Sequence, residues 1–123
     1  MQQSHPCLVF SSCLFSSVVI HAYCRQIMQY VAIYLVVTAL SIIFHASGRL
    51  SVADKLAAHC TFLFTLVDAH VTQEASTLAF LCLVLCLWLL EAPFPKHATH
   101  LHFTLHIVTV VGMHAHLSSR LHV

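Results

Sequence analysis

Two stretches decide how this chain is read: Ser41-Ile-Ile-Phe-His45 and, much later, His102-Phe-Thr-Leu-His106. Both set polar residues four apart inside apolar sequence that otherwise avoids charge. On a helix, residues i and i+4 share a face, so Ser41 lies one turn from His45, and His102 one turn from His106. Two imidazoles a turn apart make half of a zinc site, and a third from another helix completes the usual protein ligand set of a catalytic centre. Whether these pieces meet depends on what lies between them.

The sequence around them is oily. Of 123 residues, 59% are hydrophobic and 7% charged, with a mean hydropathy of +0.88. A soluble globular domain carries about a quarter charged residues, so lipid is the natural solvent for most of this chain. A net charge of +1 without a basic cluster leaves no footprint for nucleic acid. Twelve histidines stand out against that background, because ionisable groups inside a membrane are costly and mark functional sites by default. The six cysteines follow no paired framework and read as buried thiols acting as small hydrophobes.

Ile27 to His45 is the clearest span: roughly 19 residues rising about 1.5 Å each approach the roughly 30 Å of a bilayer's hydrocarbon. Ala46-Ser47-Gly48-Arg49 stops it. Ser51 is then expected to cap a helix over about 52–71, with Asp54 at its third position and Lys55 free to snorkel. After a break at Thr72-Gln73-Glu74, a run of Leu, Cys, Val and Phe covers 77–91 and closes on an interfacial anchor, Trp88 to Glu91. Pro93 and Pro95 force a loop, and the last helix covers about 99–117. Upstream, Cys7 to Tyr23 is apolar but serine-rich and lacks a basic start, which reads as a marginal membrane helix over 7–23; a cleaved signal segment is the alternative. The expected fold is all-α: one domain over 1–123, a polytopic membrane bundle of four to five transmembrane helices.

That topology brings the marked residues together. His45 ends the second helix on one membrane face, and Asp54 opens the third on the same face. The third helix crosses away and the fourth returns, so the fifth begins there, with His102 and His106 in its first two turns. Only crossings after His45 count, so this parity does not need the first helix. Asp68 lies 14 residues beyond Asp54, about 21 Å along the helix, which puts it near the opposite face with Glu74 as an interfacial residue. His59 is the alternative ligand. Arg49, Lys55 and Lys96 on the His45 face against Arg25 and Arg120 on the other weakly favour the former as cytosolic.

A serine, three residues and a histidine closing one membrane helix, an aspartate opening the next, and H-x-x-x-H near the C-terminus resemble the CREST superfamily. That group holds the alkaline ceramidases, the progestin and adipoQ receptors and the post-GPI-attachment lipases. Phe44-His-Ala-Ser and Val52-Ala-Asp54-Lys-Leu-Ala look most like the ceramidase and lipase versions. The resemblance covers about residues 27–70 and 100–113. It departs from the family in offering five helices where members have seven, and in having Lys55 after Asp54.

The resemblance implies that His45, His102 and His106 hold Zn²⁺ and leave a fourth position for water. Asp54 would then orient that water or act as general base, and Ser41 would hydrogen-bond the water or the developing oxyanion. The implied reaction is hydrolysis of an amide or ester bond in a membrane lipid, in a multi-pass protein of the endoplasmic reticulum or Golgi. Each residue also has a plainer reading. The three histidines suit interfacial helix ends, Asp54 suits the positive end of a helix dipole, and Ser41 suits a bond to the carbonyl of the preceding turn. On those readings the chain is a non-enzymatic multi-pass membrane protein, a viral or orphan accessory protein or a degenerate fragment, without a metal site.

Overall fold

The computed structural model describes residues 5–120, and every regular element among them is helical. The serine-rich run forms α1 (Pro6–Cys13) and α2 (Phe15–Cys24), broken at Leu14. Pro6 sits in the first turn of α1, where a missing N–H costs nothing. Then follow α3 (Met28–Ser47), α4 (Ser51–Thr72), α5 (Ala75–Leu90), a single 3-10 turn (Pro95–His97) and α6 (Ala98–Ser119).

Three connections are so tight that each places a non-glycine residue in the left-handed region: Gln26 at φ 58°, Leu50 at φ 60° and Gln73 at φ 57°. Gly48, at φ 72°, ends α3 with its N–H bonded to the Phe44 carbonyl at 2.7 Å. A leucine in this region costs about 1–2 kcal/mol, and here it alters the start of α4. Leu50 occupies the cap position, Ser51 is already helical, and no side chain caps the helix. The expected Ser51 cap is therefore not formed, and the Asp54 N–H bonds the Leu50 carbonyl at 2.9 Å.

The helices pack in a ring. α3 packs on α4, α4 on α5, and α5 on α6, while the first helix pair lies against both α3 and α6 and closes the circuit. At one end the centre is filled by Val18, Ala22, Tyr30, Tyr34, Met113 and Leu117. Gly112 lets α6 approach α5 there: a Cβ on it would lie 2.5 Å from the Phe80 ring, the small-residue contact by which helices approach closely in membranes. At the other end the centre opens into a cavity of about 410 Å³.

Beside this apolar core, polar residues are also buried and large apolar side chains are also exposed. Ser11, Ser12, Ser41, His45, Thr65, Thr77, His106 and His116 are buried, while Ile20, Leu35, Leu63, Val67, Leu89 and Val111 are each more than half exposed. All six cysteines face outward, which corrects the expectation that they fill the core. A thiol is a small apolar group, and here it sits among the large apolar side chains that the helices also carry on their outer surface. Pro6–Cys24 and Met28–Ser47 are long and apolar enough to cross a membrane. α5 and α6 add a third candidate if counted as one span bent by 117°. α4 falls short because it carries Asp54, Lys55 and Asp68, and 16 residues of α5 alone reach only about 24 Å.

Candidate metal centre

His45 comes from the last turn of α3, where the helix stop at Gly48 holds it beside the cavity. His102 and His106 come from successive turns at the start of α6. The three rings meet: centroids lie 5.1 Å apart for His45 and His102, 5.3 Å for His45 and His106, and 4.6 Å for His102 and His106. One nitrogen from each ring lies within 4.8 Å of the others, so the group can hold a metal ion. Zinc–nitrogen bonds of about 2.0–2.1 Å in tetrahedral geometry put ligand nitrogens about 3.3 Å apart, so the three rings would close in on a bound ion.

The donor set fits a cation. Nε2 of His45 is buried and has no hydrogen-bond partner, the one such side-chain atom among the described residues. A buried polar atom without a partner costs about 1–3 kcal/mol, and a bound cation removes that cost. Nδ1 of His102 lies 2.8 Å from Glu91 Oε1, and Nδ1 of His106 lies 2.7 Å from Ser11 Oγ. Their Nε2 atoms are left for an ion. Imidazole ligands suit zinc, copper, iron and nickel alike.

Ser41 is buried one turn from His45, as the spacing requires. Its partner is Ser12 Oγ at 2.7 Å, not the carbonyl of its own preceding turn. Since Ser12 directs its hydrogen to the Leu8 carbonyl at 2.6 Å, Ser41 donates to Ser12. Asp54 lines the same cavity as the three histidines, with Lys55 beside it. His59, the alternative ligand, lines the same cavity but is not one of the group. It bonds the Lys55 carbonyl at 2.6 Å and meets the edge of Trp88 at 5.1 Å between centroids.

Sequence reasoning missed two parts of this site. The first helix, treated as dispensable to the motif, supplies Ser11 and Ser12 to His106 and Ser41, and the His5 N–H bonds the His45 carbonyl at 3.3 Å. Glu91 is a partner of His102 rather than a simple interfacial anchor. The run Ser11-Ser12 inside apolar sequence was the available signal.

At the other end of the ring a second buried network forms around Asp68. Its carboxylate accepts from Tyr30 Oη at 2.6 Å, from His116 Nε2 at 2.9 Å and from Arg120, while Nδ1 of His116 lies 2.8 Å from Thr77 Oγ1. The order hydroxyl, imidazole, carboxylate matches that of an acyl-transfer triad, but Thr77 and His116 are each 1% exposed and lie outside the cavity lining. The network ties α3, α4, α5 and α6 together. Nearby, His21 and His114 stack at 4.9 Å between centroids and share a 2.7 Å hydrogen bond.

No protein-family model matches the chain, and no curated protein and no solved structure matches it.

Proposed function

We propose that the chain is a multi-pass membrane hydrolase of CREST type, a zinc enzyme that cleaves an amide or ester bond in a lipid. One observation carries the reading: three histidines from two helices that are not packing neighbours converge on a cavity between the helices, with a buried imidazole nitrogen unpartnered. In this reading α1 to α6 are all embedded, with Asp54 and Asp68 of α4 and His102, His106 and His116 of α6 turned toward partners or the cavity while Lys55, His59, His70 and His100 remain exposed. Residence in the endoplasmic reticulum or Golgi follows from the family resemblance.

His45, His102 and His106 would hold the zinc. When bound, zinc supplies a Lewis acid that polarises a carbonyl and lowers the pKa of water toward about 7. The chain's own groups do the rest. Asp54, on the cavity wall, takes a proton on its carboxylate as general base. Ser41 turns its hydroxyl from Ser12 to donate to the oxygen that gains charge. The apolar lining, including Phe15, Phe80 and Met113, excludes water and lowers the local dielectric, which strengthens each of these interactions. A lipid entering with its reactive group at the Asp54 end lays its hydrocarbon along that lining.

Hydrolysis is tested with the full chain purified in detergent and incubated with N-acyl and O-acyl lipids. Release of fatty acid that disappears in His45→Ala and in Asp54→Asn supports the reading. Release unaffected by both substitutions refutes it.

A further inference from the structure

The three nitrogens that meet at the centre each have a second nitrogen on the same ring, and what that second nitrogen does decides whether the first is a ligand. A neutral imidazole carries one proton. If the proton sits on the nitrogen facing the ion, the ring cannot coordinate. The chain therefore needs a device that holds each proton on the far side, and two such devices are visible.

Glu91 caps the C-terminal end of α5, just before Pro93 and Pro95 turn the chain into α6. Its Oε1 lies 2.8 Å from His102 Nδ1. An ionised carboxylate only accepts hydrogen bonds, so Nδ1 of His102 carries the proton and Nε2 keeps its lone pair. Ser11, near the end of α1, lies 2.7 Å from His106 Nδ1. The Ser11 hydroxyl also reaches the Leu8 carbonyl at 3.1 Å, a bond it makes only as donor. With its single hydrogen used there, Ser11 accepts from Nδ1 of His106, and Nε2 of His106 is again the free nitrogen. On His45 the unpartnered buried atom is also Nε2.

We infer that Glu91 and Ser11 are positioning residues for the metal centre, locking His102 and His106 as Nδ1–H tautomers so that both present Nε2 to the ion. This rests on the metal-centre reading above. Glu91 is the stronger of the two, because a carboxylate also raises the basicity of the ring it holds. It comes from the α5 end and Ser11 from the first helix, so the ligand pair on α6 is oriented by the two elements that flank α6 in the ring.

A positioning role for Glu91 differs measurably from that of a generic ion pair. Losing such an outer partner typically costs 10–100-fold in metal affinity. Loss of a surface ion pair would leave the metal untouched.

The test uses full-length protein in detergent micelles with ¹⁵N-labelled histidine, first free of metal and then titrated with zinc. Imidazole ¹⁵N shifts read the tautomer directly. Expected are an Nδ1–H signature for His102 in the unsubstituted chain, a tautomer mixture in Glu91→Ala, partial rescue in Glu91→Gln through its amide oxygen, and 10–100-fold weaker zinc binding in Glu91→Ala with unchanged helicity. Ser11→Ala reports on His106 in the same way, and supplies the answer should Glu91→Ala fail to fold. A His102 tautomer indifferent to both Glu91 substitutions overturns the inference, as does zinc affinity within twofold of the parent chain. A parent chain that shows the tautomer shift but binds no zinc overturns the metal centre and leaves the locking action of Glu91 standing.

Discussion

At the scale of single residues, the division of labour around the cavity makes a sharp prediction for Asp54. It lies on the cavity wall outside the histidine group, so Asp54→Asn should keep zinc while losing about 10²–10⁴-fold in hydrolysis, the usual loss with a general base. Parallel metal analysis and fatty-acid release check it; loss of zinc together with activity would make Asp54 a ligand or a structural prop. His45, His102 and His106 were legible in the sequence because i,i+4 spacing and the parity of crossings depend only on helix geometry. Glu91 and Ser11 were not. Each meets its histidine through a contact between neighbouring elements, 11 residues away for Glu91 and 95 for Ser11, and no helical spacing encodes that. The outward turn of the six cysteines was also illegible, since apolar side chains suit a protein core and a lipid-facing surface equally well.

At the scale of helices, two contacts hold the ring shut. At the metal end, Ser11 and Ser12 bind the first helix to α6 and α3. At the far end, Asp68 on α4 gathers Tyr30 from α3 and both His116 and Arg120 from the end of α6. Asp68→Ala leaves the buried His116 imidazole without its acceptor and the part-buried Arg120 without its partner, and a buried polar group left unsatisfied costs about 1–3 kcal/mol. A thermal melt in detergent followed by circular dichroism should show a clear drop in the transition temperature with zinc stoichiometry retained below it. An unchanged melt would mean the network does not tie the helices. The ends of the later helices were readable to within two residues, because Gly48, the Pro93–Pro95 pair and the Thr72-Gln73-Glu74 break punctuate the chain; the break at Leu14 inside the expected helix over 7–23 was not. The cap of α4 was not legible, since a leucine in the left-handed cap position is set by the tightness of the turn rather than by the identity of Ser51.

At the scale of the molecule, large apolar side chains exposed on the outside and a histidine-lined cavity within suit helices standing in a bilayer, where backbone groups are satisfied within each helix and ionisable groups face cavities. Cys7 and Cys24 lie at opposite ends of the first span, and both are exposed. In sealed vesicles holding single-cysteine variants, a membrane-impermeant maleimide should label one of them and not the other; equal labelling from the same side would show that this segment does not cross. The whole account turns on an ion shared by three imidazoles from two helices. Its most direct measurement is the zinc content of the purified full-length chain by mass spectrometry, beside that of His102→Ala. One zinc per chain in the parent and almost none in the variant is the predicted result, and a metal-free parent chain, or equal zinc in both, would contradict it.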